Sequence, residues 1–235
     1  MSMDTGKYKE LNEVIDPPVL AEALSVQDWG TIDYCLALQR QMDLVDLVHH
    51  ELARETLVFC AHPPVVTLGR ATREGDVFGF QGLVVEVNRG GRATFHGPGQ
   101  VVAYPILDLN QRNRDIHQHL RNLEYAVVLT LAEFGIEASG RTLQELDAGG
   151  EQEATGVWVG AKKIASVGIG VRHWVSYHGV ALNIEHDKNA FQGIKPCGFS
   201  ADTMTSMEEI LGSQVSHQRV QECLKDSLLR IFANL

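Results

Sequence analysis

Residues 83–107 read LVVEVNRGGRATFHGPGQVVAYPIL, and this stretch decides the fold class that the sequence predicts. Its ends, residues 83–87 and 101–107, are rich in β-branched residues and are typical of strands. The segment between them contains four glycines and one proline, which favour tight turns and let the backbone approach a ligand closely. The stretch therefore predicts two strands that flank either a tight hairpin or a ligand-binding segment.

Hydrophobic periodicity predicts the elements on both sides of this stretch. Apolar residues recur every three or four positions in 31–54, 116–134 and 218–232, which predicts three amphipathic helices. Shorter β-branched or aromatic runs predict strands at 55–61, 65–68, 157–159, 163–171 and 175–184. Helices towards both ends and strands clustered between them predict an α+β domain with a mainly antiparallel sheet.

Length and composition predict one globular domain. A chain of 235 residues with 44% hydrophobic and 21% charged residues can bury one sizeable core. We expect the polar residues 1–20 to form a loosely ordered leader and residues 21–235 to form a single domain. The leader lacks the apolar core of a signal peptide, and no uncharged apolar run approaches the roughly 20 residues of a membrane span. We therefore predict a cytoplasmic protein without a membrane partner.

Charge and cysteine usage argue against several functional classes. The formal net charge of -10 argues against nucleic acid as a partner, because proteins that bind it carry a basic excess. The four cysteines form no CxxC pair, which indicates a reduced intracellular protein. The ten histidines include no HExxH spacing, so we predict no metal site. Neither a Walker loop nor a GxSxG elbow is present.

Three further motifs contain side chains that are able to carry chemistry. Cys197 lies between a proline and a glycine, so its thiol is presented from a turn and is either a nucleophile or an inert side chain. Strand alternation turns either Lys162 or Lys163 towards the packed side of the sheet, where an amine can act as a base, although most lysine pairs are solvated. The His-Gly pair at 178–179 interrupts an apolar strand, which indicates either a β-bulge or a binding site.

Four segments, in this order, resemble the lipoyl(octanoyl) transferase family. They are RGGRATFHGPGQ (89–100), KKIASVGI (162–169), SYHGVALN (176–183) and KPCGFS (195–200). The resemblance implies an α+β fold of the lipoate/biotin protein ligase type, with a mixed, mainly antiparallel sheet packed by helices. It also implies an acyltransferase that needs neither ATP nor another cofactor.

The same resemblance implies roles for individual residues. Cys197 is implied to carry the acyl group as a thioester, and Lys163 is implied to act as acid and base for this thiol. The residues implied to bind the substrate are Arg89, Gly90, Gly91, Arg92, Ala93, Thr94, Phe95, His96, Ser166, Val167, Gly168, Gly179, Val180 and Ala181.

The implied reaction has protein partners on both sides. The donor is octanoyl acyl carrier protein, and the acceptors are lysines of the lipoyl domains of 2-oxoacid dehydrogenase complexes and of the glycine cleavage H protein. This transfer is the first step of endogenous lipoate cofactor assembly. Because these partners are acidic, as this chain is, we expect basic side chains around the site. The candidates are Arg70, Arg73, Arg89, Arg92, Lys162, Arg172 and Lys195.

Three other functions remain open from the sequence. An ATP-dependent lipoate or biotin ligase of the same fold would activate a free acid and would need no nucleophilic cysteine. A non-catalytic binding protein of this fold would not become acylated at Cys197. A cysteine hydrolase would release the free acid when no acceptor is present.

Overall fold

The structure is a computed structural model that describes residues 24–141, 155–187 and 189–233. The leader predicted at 1–20 lies outside the described residues. So does nearly all of the acidic, glycine-containing segment 146–155, for which the sequence predicts a surface loop. Across the described ranges, every helix is too short or too polar to traverse a lipid bilayer.

The strands form two sheets. The larger sheet contains β1 (Ser25–Thr31), β2 (Thr56–Ala61), β6 (Gln100–Ile106), β7 (Ser139–Gly140), β8 (Gly156–Val159), β9 (Lys162–Arg172) and β10 (Val175–Asn183). Its strand order is β1-β2-β6-β10-β9-β8-β7. The β1–β2 pair is parallel and every other pair is antiparallel. The expected mixed, mainly antiparallel sheet is confirmed.

The smaller sheet contains β3 (Val65–Leu68), β4 (Leu83–Glu86) and β5 (Thr94–His96), in the order β4-β3-β5. The strands that flank the glycine-rich stretch, β4 and β6, therefore belong to different sheets. The interpretation of this stretch as a tight hairpin is wrong, because β4 pairs in parallel with β3 instead of with β6. The stretch passes from one sheet to the other and contributes the buried strand β5 on its way.

Helices cover both faces of the larger sheet. They are α1 (Tyr34–His49), α2 (Ile116–Ala132), the short α3 (Met207–Leu211) and α4 (His217–Phe232). The three predicted helices are confirmed as α1, α2 and α4, although α1 is shorter than its prediction. The side chains of Asp33, Asp115 and Ser216 cap these helices by accepting a backbone N–H of the first turn.

Two apolar layers hold the helices on the sheet. Leu123 of α2 and Leu224 of α4 belong to one buried cluster together with Leu57 of β2. Ala37 of α1 and Val58 of β2 belong to a second cluster. Leu57 and Val58 are neighbours in β2, and neighbouring residues of a strand face opposite sides of the sheet. Therefore α2 and α4 cover one face of the sheet and α1 covers the other. This arrangement buries both faces of the central strands that carry the candidate site.

Candidate active site

A cavity of about 840 Å³ lies against the central strands of the larger sheet and the glycine-rich stretch. Thirteen of the sixteen site residues expected from the sequence line it. They are Arg89, Gly90, Gly91, Arg92, Thr94, His96, Ser166, Val167, Gly168, Gly179, Val180, Ala181 and Cys197. The other three are Ala93, Phe95 and Lys163, which are described below.

Strand register explains why two distant motifs meet in this cavity. In the antiparallel β9–β10 pair, Gly168 lies opposite Gly179 and Ser166 lies opposite Ala181. The glycine-rich stretch is attached to the same strand, because the N–H of Gly90 donates to the carbonyl of Ile169 at 2.9 Å. Three of the four family-like segments are thus joined by backbone hydrogen bonds, and the fourth is joined to the first by the bond from the N–H of Cys197 to the carbonyl of Ala93.

Ala93 and Phe95 support the cavity instead of lining it. Ala93 is fully buried, and its carbonyl accepts the N–H of Cys197 at 2.8 Å. Phe95 belongs to a separate apolar cluster with Ile194 and contacts the ring of Phe191 at a centroid distance of 5.6 Å. Both residues therefore anchor the segment that carries Cys197.

Cys197 is partly exposed to the cavity from a short 3-10 turn, Pro196–Gly198. Its φ of 53° and ψ of 26° place a cysteine in the left-handed region, which β-carbon-bearing residues seldom adopt. Such a conformation persists only when the surrounding structure holds it. The hydrogen bond to Ala93 provides one such restraint.

Lys163 is the buried member of the lysine pair. It does not line the cavity but contacts a residue of the cavity wall. The side chain is fully buried, and its Nζ donates to the carbonyl oxygen of Thr155 at 2.7 Å. Thr155 itself lines the cavity together with Cys197. Within the described residues Lys163 forms no ion pair. Its neighbour Lys162 is instead half-exposed and pairs with Glu209 at 2.7 Å.

Arg89 is a buried cation held by hydrogen bonds to neutral groups. Its Nη2 donates to the carbonyl and the hydroxyl of Thr67 at 2.9 and 2.8 Å, and its Nη1 donates to the carbonyl of Gly90 at 2.9 Å. A β-carbon at Gly69 would lie 2.6 Å from Nη1, so that glycine makes room for the guanidinium. Burial lowers the pKa of Arg89, while the ionisable groups of Tyr34, Cys197 and Tyr104 oppose this shift.

Arg92 is bound to a carboxylate that the sequence did not single out. Its Nε donates to Oδ2 of Asp76 at 2.9 Å and its Nη2 donates to Oδ1. Asp76 is almost fully buried. Arg92 therefore lines the cavity as one half of an ion pair.

A cluster of tyrosines and histidines borders the cavity on the side of α1. Nδ1 of His62 lies 2.8 Å from the carbonyl oxygen of Ile32, so this nitrogen carries the proton. Nε2 of His62 then accepts the hydroxyl of Tyr104 at 2.8 Å. The ring of Tyr34 stacks on that of His96 at 5.6 Å.

His178 completes this cluster and interrupts only the apolar pattern of β10, because the strand pairs with β9 in an unbroken register through His178 and Gly179. Its φ of 57° is left-handed, and its N–H donates to the side-chain oxygen of Gln41 at 2.8 Å. Burial and the charge of Arg89 lower the pKa of His178 to about 3. Burial also holds the pKa of His96 well below its usual range. Both imidazoles are neutral at pH 7, which leaves Arg89 as the charged member of this group.

Sequence reasoning missed Asp76, Tyr34, His62 and Tyr104. In the sequence, Tyr104 is distinguished only by its hydroxyl group within an otherwise apolar predicted strand. His62 is distinguished only by the two prolines that follow it. Asp76 and Tyr34 carry no local signal, because their partners lie far away in sequence.

The expected basic rim is only partly present. Arg172 pairs with Asp46 at 3.2 Å, and it is absent from the described residues that line the cavity, as are Lys162 and Lys195. Arg89 and Arg92 line the cavity but are buried. The exposed cationic side chains at the cavity are Arg70, Arg73 and Arg114.

Comparison with known proteins gives consistent matches. Residues 33–229 match the family described as the lipoyl protein ligase A/B catalytic domain. An octanoyltransferase of Bdellovibrio bacteriovorus is 48% identical, and the match covers 88% of this chain and 98% of that protein. An octanoyltransferase of Geobacter metallireducens is 42% identical, with coverage of 82% and 85%.

Solved structures share the fold at much lower identity. A lipoate-protein ligase A bound with ATP has a TM-score of 0.62 at 17% identity and covers 87% of this chain and 82% of its own. The biotin protein ligase of Aquifex aeolicus has a TM-score of 0.50 at 12% identity, with coverage of 90% and 71%. The expected fold type is confirmed. The chain therefore belongs to the lipoyl protein ligase A/B catalytic domain family and, within it, to the lipoyl(octanoyl) transferases, which are acyltransferases.

Proposed function

We propose that this protein transfers an octanoyl group from octanoyl acyl carrier protein to a lysine of a lipoyl domain, through a thioester on Cys197 with Lys163 as acid and base. The observation that carries the proposal is the meeting of two groups at one cavity. Cys197 lines it directly, and Lys163 donates to the carbonyl of Thr155 in its wall. A thiol in the lining of a cavity and a buried amine bound to the wall of the same cavity are groups suited to nucleophilic acyl transfer.

In the first half-reaction, the thiol proton of Cys197 passes to Lys163 and the sulfur attacks the carrier thioester. The new bond joins Sγ to the acyl carbon, the bond from that carbon to the carrier sulfur breaks, and Lys163 returns the proton to the leaving thiol. One thioester replaces another of similar energy, so this step needs no ATP.

In the second half-reaction, the acceptor lysine attacks the Cys197 thioester as a neutral amine. An amide bond forms, the bond to Sγ breaks, and the proton lost by the amine returns to the thiol by way of Lys163. Amide formation from a thioester is favourable, so the transfer proceeds towards the acylated lipoyl domain. Alternation of the two partners at one cavity predicts ping-pong kinetics.

The lining of the cavity supports an acyl substrate. Val102, Val167, Val180 and Ala181 provide apolar surface, and Gly168 and Gly179 line the cavity beside them. Each methylene buried there contributes about 0.8 kcal/mol, so two carbons change binding roughly tenfold. Preference for an eight-carbon chain is therefore within the reach of this cavity.

The partners follow from the same proposal. The donor is octanoyl acyl carrier protein, and the acceptors are lipoyl domains of 2-oxoacid dehydrogenase complexes and the glycine cleavage H protein. The transfer is then the first step of endogenous lipoate cofactor assembly, carried out in the cytoplasm by a catalytic domain that spans residues 21–235.

The test is to incubate the protein with octanoyl carrier, quench with acid and analyse the peptide that contains Cys197 by mass spectrometry. We expect an octanoyl adduct on Cys197 that disappears when a lipoyl domain is added. We expect Cys197→Ser to form no thioester and Lys163→Ala to form it at least about 100-fold more slowly. Full activity of either variant would contradict the proposal.

The alternative functions give different results in the same assay. Labelling of the lipoyl domain from free octanoate and ATP would identify a ligase. Release of octanoate without an acceptor would identify a hydrolase. An unmodified protein that still binds the carrier would identify a binding protein.

A further inference from the structure

Residues 193–199, here called the nucleophile segment, present Cys197 and are part of a closed ring of contacts. The carbonyl of Asp76 accepts the N–H of Lys195 at 2.7 Å, and two residues later the N–H of Cys197 donates to the carbonyl of Ala93 at 2.8 Å. Ala93 is bonded to Arg92, whose guanidinium returns to the carboxylate of Asp76. The ion pair is thus the side-chain link that closes a ring through the backbone of the nucleophile segment.

Asp76 is built into this ring by several donors. Its carboxylate accepts the backbone N–H of Arg73 at 2.9 Å in addition to the two N–H groups of Arg92. The side chain is 1% exposed, so it is withdrawn from competing water. Charge-assisted hydrogen bonds of this kind fix geometry more tightly than neutral ones.

The residues after Asp76 also contact the nucleophile segment, at its N-terminal end. Val77 forms an isolated antiparallel bridge with Ile194, and the N–H of Phe78 donates to the carbonyl of Gly193 at 2.9 Å. A β-carbon at Gly193 would lie 2.4 Å from the backbone of Gly79, so the two chain segments are in close contact. Residues 193–195, which lead into Cys197, therefore lie against residues 76–79.

This attachment matters because Cys197 is in the left-handed conformation, which its surroundings must enforce. Its N–H is held through Ala93, and Lys195, two residues before it, is held through Asp76. These two hydrogen bonds end on the carbonyls of Ala93 and Asp76. Without the link between Arg92 and Asp76, those two carbonyls would no longer be held in place relative to one another.

We propose that the Asp76–Arg92 ion pair is a positioning device that sets where the sulfur of Cys197 lies in the cavity. The inference rests on the proposed function, in which that sulfur attacks a thioester. Asp76 acts through the Cys197 segment and contacts no reacting atom. Misplacement of a nucleophile by about 1 Å lowers the rate of attack by up to about 100-fold.

The test must separate positioning from stability, because a single substitution leaves a buried charge without its partner. We expect Asp76→Asn to lower the melting temperature by about 10 °C and to slow acylation. The double variant Asp76→Asn/Arg92→Met removes both charges, so we expect most of the melting temperature to return. Acylation of Cys197 by octanoyl carrier should remain about 10- to 100-fold slow, with the KM for carrier changed less than about threefold.

Arg92→Lys keeps the charge but loses the two-point contact, and should retain more of the acylation rate than Arg92→Met. The matched control is Glu55→Gln/Arg112→Met, because Arg112 and Glu55 form a similarly shielded ion pair that does not contact residues 193–199. This control should acylate at the parent rate.

Hydrogen exchange of residues 193–199 provides a readout that does not depend on acyl transfer. In the double variant the amides of Lys195 and Cys197 should exchange faster than in the parent. A folded double variant that acylates Cys197 at the parent rate overturns the proposal. If the parent protein forms no thioester, the proposed function fails, and unchanged exchange in 193–199 would then overturn the positioning role as well.

Discussion

Gly156 leaves the space that the amine of Lys163 occupies: a β-carbon at position 156 would lie 2.6 Å from Cε and 3.2 Å from Nζ. This glycine and the carbonyl of Thr155 border the amine, which forms no ion pair within the described residues. A buried amine kept without an ion pair contributes little to stability, which supports the catalytic role that we propose for Lys163.

Replacement of Lys163 by methionine should therefore change stability and activity in opposite directions. Methionine preserves the apolar stem and removes the buried amine, so we expect an unchanged or higher free energy of unfolding, by up to about 2 kcal/mol. The rate of Cys197 acylation should fall at least about 100-fold. Urea unfolding and quenched acylation measure the two quantities.

The control for this substitution is Lys162→Met. Its side chain is half-exposed and pairs with Glu209, so removal should change stability by less than about 1 kcal/mol and leave acylation unaltered. A Lys163→Met variant that is both destabilised and fully active would contradict the assignment.

Ala181 should control the length of the acyl chain that the cavity accepts. Its side chain lines the cavity and belongs to the apolar cluster beneath α1. Leucine at this position adds three carbons and fills space that an acyl chain would use. We expect Ala181→Leu to raise the ratio of kcat/KM for hexanoyl over octanoyl carrier about tenfold. The ratio is its own control, because a general loss of folded protein affects both substrates equally, and an unchanged ratio would mean that the chain lies elsewhere.

The sequence predicted the elements whose signal is local. Period-3.6 patterns gave α1, α2 and α4, and β-branched or aromatic runs gave most strands of the larger sheet. The short strand β5 was missed because three residues inside a glycine-rich run carry no period. The parallel partner of β4 was also missed, since pairing between distant strands is a tertiary property.

The candidate site likewise contains features that the sequence predicts and features that depend on tertiary contacts. The Pro-Cys-Gly sequence already indicated that Cys197 is presented from a turn, and alternation along β9 indicated that one lysine of the pair is buried. The partner of Arg92 could not be predicted, because Asp76 reaches it only after two sheets and the nucleophile segment have come together. Arg92, expected to bind substrate, lines the cavity and is also held by that carboxylate.

The exposed arginines at the cavity should attract an acidic carrier. Arg70 and Arg114 line the cavity and are exposed. Because the chain carries a net charge of -10, local positive charge there is needed to offset the repulsion between two acidic proteins. We expect Arg70→Glu/Arg114→Glu to raise the KM for octanoyl carrier about tenfold at low ionic strength, and the increase should shrink at high salt.

Charge reversal away from the cavity controls for net charge. Arg40→Glu/Arg219→Glu changes the net charge by the same amount, and both side chains are exposed on helices outside the cavity lining. Its KM should stay within about twofold of the parent. Equal effects of the two double variants would show that the carrier responds only to total charge.

His119 should make the fold sensitive to acid. It lies buried on α2 against the ring of Phe232, at a centroid distance of 5.2 Å, and within the described residues neither ring nitrogen has a hydrogen-bond partner. Burial, aided by the charge of Arg112, lowers the pKa of His119 from its ordinary 6.5 to about 3. Between these values the unfolded chain binds a proton that the folded protein excludes, so stability is complete above pH 6.5 and declines as the pH falls towards 3.

At pH 5.5 this linkage removes about 1.4 kcal/mol of unfolding free energy relative to pH 8. His119→Phe retains an apolar ring at the interface of α2 and α4 and has no proton to bind. We therefore expect urea unfolding to show a pH dependence that is smaller by this amount in the variant than in the parent. His62, His96 and His178 have lowered pKa values of their own and are unchanged in the variant, so the difference between the two proteins isolates His119. An identical pH dependence in parent and variant would mean that His119 takes up its proton within the folded protein.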